Sequence, residues 1–167
     1  MDLVVIGNVV SLVGALFMIA IGFLKRKRHI LVAQCLQFGI MGAGQWFLGG
    51  ITGLISNLVS IARNLVCIRF SFRLPLKLIF MAIQILMTLA VKPVGLVAWF
   101  PTLAACLYTW FLDTKKETLL KIVIIACQLL WIVYDASIQN YSALVFDVFT
   151  VFSNLAGIFM IQSSAKK

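Results

Sequence analysis

Two polar stripes interrupt an otherwise apolar chain, NLVSIARN at residues 57–64 and DVFTVFSN at 147–154. They lie 90 positions apart, and Asn57 answers to Asp147, Ser60 to Thr150, Arg63 to Ser153 and Asn64 to Asn154. On a helix, residues spaced by three, four and seven positions share a face. Asn57, Ser60 and Asn64 thus form one stripe and Asp147, Thr150 and Asn154 another. Each runs about 10 Å at roughly 1.5 Å per residue. In hydrocarbon such groups must find partners or water. They either bond helix to helix, at about 1–2 kcal/mol each at most, or they line a polar pocket. Two matching stripes and a carboxylate favour the pocket.

Asp147 carries most of that weight, because an intramembrane carboxylate costs at least a few kcal/mol and marks a functional site by default. Arg63 is its natural counter-charge, six positions deeper by the repeat register and so about 9 Å away along the axis. It either faces the pocket or snorkels toward the level of Arg69. Trp131 lies deep in its apolar run, placed to pack in the bundle or to floor the pocket, whereas Trp46, Trp99 and Trp110 sit near span ends as interfacial anchors. Pro101 falls inside an apolar run, where a proline frees a backbone carbonyl and makes a hinge.

The elements that hold these residues follow from composition. Of 167 residues, 63% are hydrophobic and 11% charged, and the mean hydropathy is +1.10. A soluble domain carries about 25% charged residues, so the solvent that suits this chain is a bilayer. The net charge of +9 is not a nucleic-acid signal, since the basic residues other than Arg63 cluster in or beside short gaps and form no basic helical face. Cys35, Cys67, Cys106 and Cys127 all lie in apolar runs without a CxxC pair, which excludes a zinc or disulfide framework in favour of free thiols. The only histidine, His29, has no second ligand nearby. The charges at Lys25, Arg26, Lys27 and Arg28 follow the first apolar segment rather than precede it, unlike a secretory signal.

Apolar runs bounded by charges or turns predict seven membrane helices, at about 3–24, 30–48, 52–69, 76–91, 94–112, 119–136 and 141–162. The fourth is the weakest. LGGIT and SIQNY are tight turns that make hairpins of spans two and three and of spans six and seven. With seven spans, Lys25, Arg26, Lys27, Arg28, Arg69, Arg73, Lys77, Lys115, Lys116, Lys121, Lys166 and Lys167 gather on one side and Lys92 on the other. That bias predicts a periplasmic N-terminus and a cytoplasmic C-terminus. Shifting the chain by 90 also lays residues 1–77 on 91–167 without a gap. The expected plan is a first three-helix unit at 1–77, a linking helix at 78–91 and a second unit at 92–167, in parallel orientation. In the Gly-rich stretch, Gly49 and Gly53 allow close helix contact.

Over nearly its whole length the chain resembles the YgjV family of bacterial inner-membrane proteins. The match is carried by Trp46-Phe47-Leu48-Gly49, by SNLVSIARNLV with Arg63, by Pro101 followed by Thr109-Trp110, by Trp131, and by Asp147 with Asn154. That family is distantly similar to SWEET and PQ-loop transporters, which share the 3+1+3 plan. In SWEET proteins an asparagine from each of the third and seventh helices lines the substrate pocket, and the resemblance implies that role for Asn64 and Asn154.

The expectation is therefore an all-α, SWEET-like protein of the bacterial inner membrane. It transports or facilitates a small polar solute by alternating access around a midplane pocket. Asn57, Ser60, Arg63, Asn64, Trp131, Asp147, Thr150 and Asn154 bind the solute and Pro101 hinges. The alternative is a non-transporting receptor or interaction subunit that uses the basic loops. The partners expected are the lipid bilayer and the solute, with self-association as a homo-oligomer open and no nucleic acid. No enzyme, cofactor or metal is expected: the sequence has no nucleophile–base pair, metal-ligand set or phosphate loop.

Overall fold

In a computed structural model, residues 2–21, 27–70, 72–114 and 116–164 are described, with the side chains of 18–21, 27 and 164 left aside. The end of the first predicted span and Lys25, Arg26, Lys115, Lys166 and Lys167 lie outside the described residues. Seven α-helices form the described chain: α1 (Leu3–Ile21), α2 (Lys27–Phe47), α3 (Ile51–Arg69), α4 (Leu74–Ala90), α5 (Phe100–Phe111), α6 (Glu117–Ser137) and α7 (Tyr141–Ser164). A 3₁₀ turn at Val97–Trp99 runs into α5. No strand occurs among the described residues.

Burial is inverted relative to a water-soluble protein. Among the described residues, 17 polar or charged side chains are buried against 10 hydrophobic ones, while Leu, Val, Phe and Met side chains stand exposed around the outside. Water would expel such a surface, whereas lipid matches it. Helices α2, α3, α6 and α7 are long and apolar enough to cross a membrane; α1, α4 and α5 contribute shorter apolar stretches. The sequence marked the fourth span as weakest, yet α5 is the shortest, with 12 residues against 17 for α4. The cause is local. Lys92 (φ 48°) and Gly95 (φ 81°) adopt left-handed backbone, which a right-handed helix cannot contain, so helix cannot start at 94.

The same local chemistry corrects Pro101. It stands in the first turn of α5 rather than inside a helix, where its missing N–H would be unpaired in any case. It breaks no helical hydrogen bond there.

The helices close a ring. α2 packs between α1 and α3, α6 packs between α5 and α7, and the two trios join through α1 against α7 and α3 against α5. α4 lies outside, against α3 and α5. A buried polar cluster fixes it there: Gln84 Nε2 donates to Ser56 Oγ (2.9 Å) and Thr102 Oγ1 (3.3 Å), and Thr88 and Thr102 share a 2.6 Å hydroxyl contact. At the other end of α4, Lys77 bonds the Trp110 carbonyl (2.8 Å) and pairs with Asp113. That bond holds the Asp113 carboxyl below its ordinary range.

The α2–α3 and α6–α7 turns are built alike. Gly49 (φ 74°) and Gln139 (φ 60°), 90 positions apart, each take the left-handed conformation that ends a helix. The helix starts that follow differ. Asn140 caps α7 itself, its Oδ1 accepting from Ala143 N at 3.4 Å, while Asn8 of α1 accepts from Ser142 N at 3.0 Å. Gly50, before α3, has no side chain to offer. Its place is taken by Tyr134 of α6, whose hydroxyl accepts from Gly53 N (2.9 Å) and Thr52 Oγ1 (3.2 Å). Gly53 permits that approach, because a Cβ there would lie 2.8 Å from the Tyr134 ring and 2.6 Å from Gln45 Oε1.

Candidate functional site

The ring encloses a cavity of about 370 Å³. Its walls come from α2, α3, α5, α6 and α7, with Asn57, Ser60 and Arg63 on one side and Asp147, Thr150 and Asn154 on the other. Nineteen residues line it, and fourteen of them form seven pairs separated by 90 positions. These are Gln34 with Ile124, Gln37 with Cys127, Phe38 with Gln128 and Met41 with Trp131. Gln45 with Asp135, Asn57 with Asp147 and Ser60 with Thr150 complete the set. Positions 90 apart in sequence thus meet around one cavity.

Toward the turns the cavity is crossed by a polar strap. Asn57 Nδ2 donates to Gln45 Oε1 at 2.7 Å. Gln45 and the Asp147 carboxyl both lie close to Asp135. Asn140 Nδ2 holds the far side of Asp135 at 3.0 Å, and Gln128 Nε2 donates to Asp147 Oδ1 at 3.2 Å. The amide pair Gln45–Asn57 in one trio therefore corresponds to the carboxyl pair Asp135–Asp147 in the other. Asp147 Oδ2 is buried with no hydrogen-bond partner among the described residues.

At the opposite end stands Arg63, 3% exposed. It does not snorkel. Its Nη1 donates to Thr109 Oγ1 (3.1 Å) and its Nη2 to Asn64 Oδ1 (3.3 Å), and its guanidinium lies 5.2 Å from the centroid of the Tyr108 ring. Its Nε has no partner, and among the described residues no carboxylate lies within ion-pair distance.

Seven of the eight binding residues read from the sequence line this cavity. Asn64 lies behind the wall: its Nδ2 donates to Gln34 Oε1 (3.1 Å) and its Oδ1 receives Arg63, so it orients two wall residues. Thr150 and Asn154 spend a donor each on their own helix, at Phe146 O and Thr150 O, both 2.8 Å. Trp131 forms part of the wall and meets Tyr134 edge to face at 5.7 Å. Pro101 is not at the cavity.

Sequence reasoning missed Gln34, Gln37, Gln45, Tyr108, Gln128 and Asp135. A signal existed, because Gln34, Gln37 and Gln45 share one face of α2, and Asp135 is a second carboxylate in the register of Gln45. Among the described residues no group of three His, Cys, Asp or Glu side chains could hold a metal. No disulfide links the cysteines among the described residues.

Residues 5–165 match the sequence model of the YgjV family, described as bacterial inner membrane protein. The match spans nearly the whole chain, and the protein belongs to that family. No curated protein and no solved structure matches the chain.

Proposed function

Starting from a YgjV-family protein of the bacterial inner membrane, we propose that this chain is a transporter or facilitator for a small polar solute, working by alternating access. The observation that carries the reading is the paired construction of the cavity. A polar space between two three-helix trios, walled by residues 90 positions apart, is what a parallel-repeat transporter needs. The helix ring, with α4 outside it, supports the 3+1+3 plan. In that plan α4, Leu74–Ala90, takes the place of the linking helix. A dry, packed interface between the stripes would have favoured the receptor or interaction subunit.

In the proposed orientation the turns at 48–50 and 138–140 face the periplasm and the basic loops face the cytoplasm. The two trios are then tied on the periplasmic side by Tyr134 to α3 and by Asn8 to the Gln139 carbonyl (2.8 Å) and Ser142. A second recess of about 540 Å³ lies beyond Tyr134, between residues 91–98 and the two turns. Tyr134 thus separates the outer recess from the Trp131 and Asp135 side of the cavity, and rocking of the trios would break these ties. No enzymatic step is proposed.

The test is labelling of single cysteines replacing Ser60 and Thr150 in a cysteine-free background. A membrane-impermeant thiol reagent should reach both positions through water, and a transported solute should protect both. Labelling by lipid-soluble reagents alone would contradict an aqueous path.

A further inference from the structure

We infer that the cavity takes an amphoteric solute, with its anionic group on Arg63 and its ammonium group on the Asp135–Asp147 carboxyl pair. This rests on the transport reading for the site but names the chemistry of what enters it. Arg63 is a permanent cation, nearly fully buried, whose only polar partners among the described residues are a threonine hydroxyl and an asparagine carbonyl. Its Nε remains unpartnered at the cavity wall. The fork is therefore incompletely satisfied, in a geometry suited to a carboxylate or phosphate. At the other pole Asp147 Oδ2 is also buried without a hydrogen-bond partner among the described residues. Both orphaned atoms belong to residues that line the cavity.

The two poles cannot neutralise each other by contact. The strap lies at the level of Asn57 and Arg63 lies six residues further along α3, an axial separation of about 9 Å. A purely anionic solute would leave the carboxyl pole unmet, and a purely cationic one would leave Arg63 unmet. Each leaves a desolvated charge in low dielectric, which is the costly arrangement. One small molecule carrying both charges satisfies both poles. The volume, about 370 Å³, sits near the lower end of ligand pockets, which run from about 300 to 1,000 Å³. Small solutes fit and large ones do not.

The test compares equilibrium binding of three probes on one carbon skeleton to the purified full chain: 6-aminohexanoate, hexanoate and hexylamine. The zwitterion should bind at least about tenfold tighter than either singly charged probe, as an added charge-assisted contact implies. Arg63→Gln should make 6-aminohexanoate no better than hexylamine, and the double change Asp135→Asn with Asp147→Asn should make it no better than hexanoate. Arg63→Lys, which keeps the charge, should retain part of the preference, with circular dichroism monitoring the fold. Equal binding of hexanoate and 6-aminohexanoate to the unaltered protein, or equal binding of hexylamine, would overturn the assignment without recourse to any variant. So would absence of binding by all three. Zwitterion binding without flux in proteoliposomes would remove the transport reading and keep this one. Flux of a neutral polyol with no preference for the zwitterion would do the reverse.

Discussion

Replacing Tyr134 by phenylalanine removes one oxygen and keeps the ring, its edge contact with Trp131 and nearly all of its volume. The oxygen accepts from Gly53 N and Thr52 Oγ1, at 2.9 and 3.2 Å, and the residue is 3% exposed. Gly53 N–H is a first-turn donor of α3 with no carbonyl four residues back to receive it, and Gly50 supplies no side-chain cap. A buried donor left unsatisfied costs about 1–3 kcal/mol, and losing a cap costs about 0.5–2 kcal/mol. These describe the same loss, so about 2 kcal/mol is the expected total. For a chain of this size each kcal/mol shifts Tm by about 2–4 °C, giving a decrease of roughly 4–8 °C. Thermal unfolding of the purified protein in detergent, followed by circular dichroism, reads this. Tyr141→Phe is the control, because Tyr141 is 58% exposed. A Tm for Tyr134→Phe within a degree of the unaltered protein would refute capping of one trio's helix by the other. Thr52→Val should account for only part of the effect, since it leaves the Gly53 bond in place.

Other outcomes follow from the same geometry. Gly53→Ala should destabilise by about 1–3 kcal/mol through overpacking, because its Cβ would press on Gln45 and Tyr134. Gly39→Ala, with nothing within 4 Å of the new methyl, should be neutral or stabilise by up to about 1 kcal/mol in the same melt. Asp113→Asn should lower Tm slightly at neutral pH by breaking the Lys77 pair. The folded carboxyl titrates below its ordinary value of 3.8, so its contribution is present above that value. The difference from the unaltered protein should then vanish as pH falls through the lower, folded value. Reporter fusions after Arg73 and Lys116 should read cytoplasmic and one after Gln139 periplasmic; a periplasmic reading at Arg73 would contradict the proposed orientation.

The helices and both hairpin turns were legible because apolar runs and turn residues are local signals. α5 was not, since its start depends on backbone conformations at Lys92 and Gly95 that composition does not announce. The stripes on α3 and α7 stood out because a polar residue in the middle of an apolar run is conspicuous. Gln45 and Asp135 sit in the last turns of α2 and α6, where polar residues are ordinary, so their inward direction emerges only from packing. Asn64 shows the converse: the right face by periodicity, but turned onto Gln34 and Arg63 by partners that lie far off in sequence.

Asp147→Asn tests the central claim, that the cavity is a solute path. In structural terms the change is benign. An asparagine can donate to Asp135 and still accept from Gln128, copying the amide arrangement at Gln45 and Asn57. Replacing a buried charged group by a well-bonded neutral one is often neutral or stabilising. Proteoliposome flux of a solute that the unaltered protein carries, measured beside the Tm of the same preparation, separates structure from function. The account predicts an equal or higher Tm with flux lost or uncoupled, and unchanged flux at unchanged Tm would contradict it.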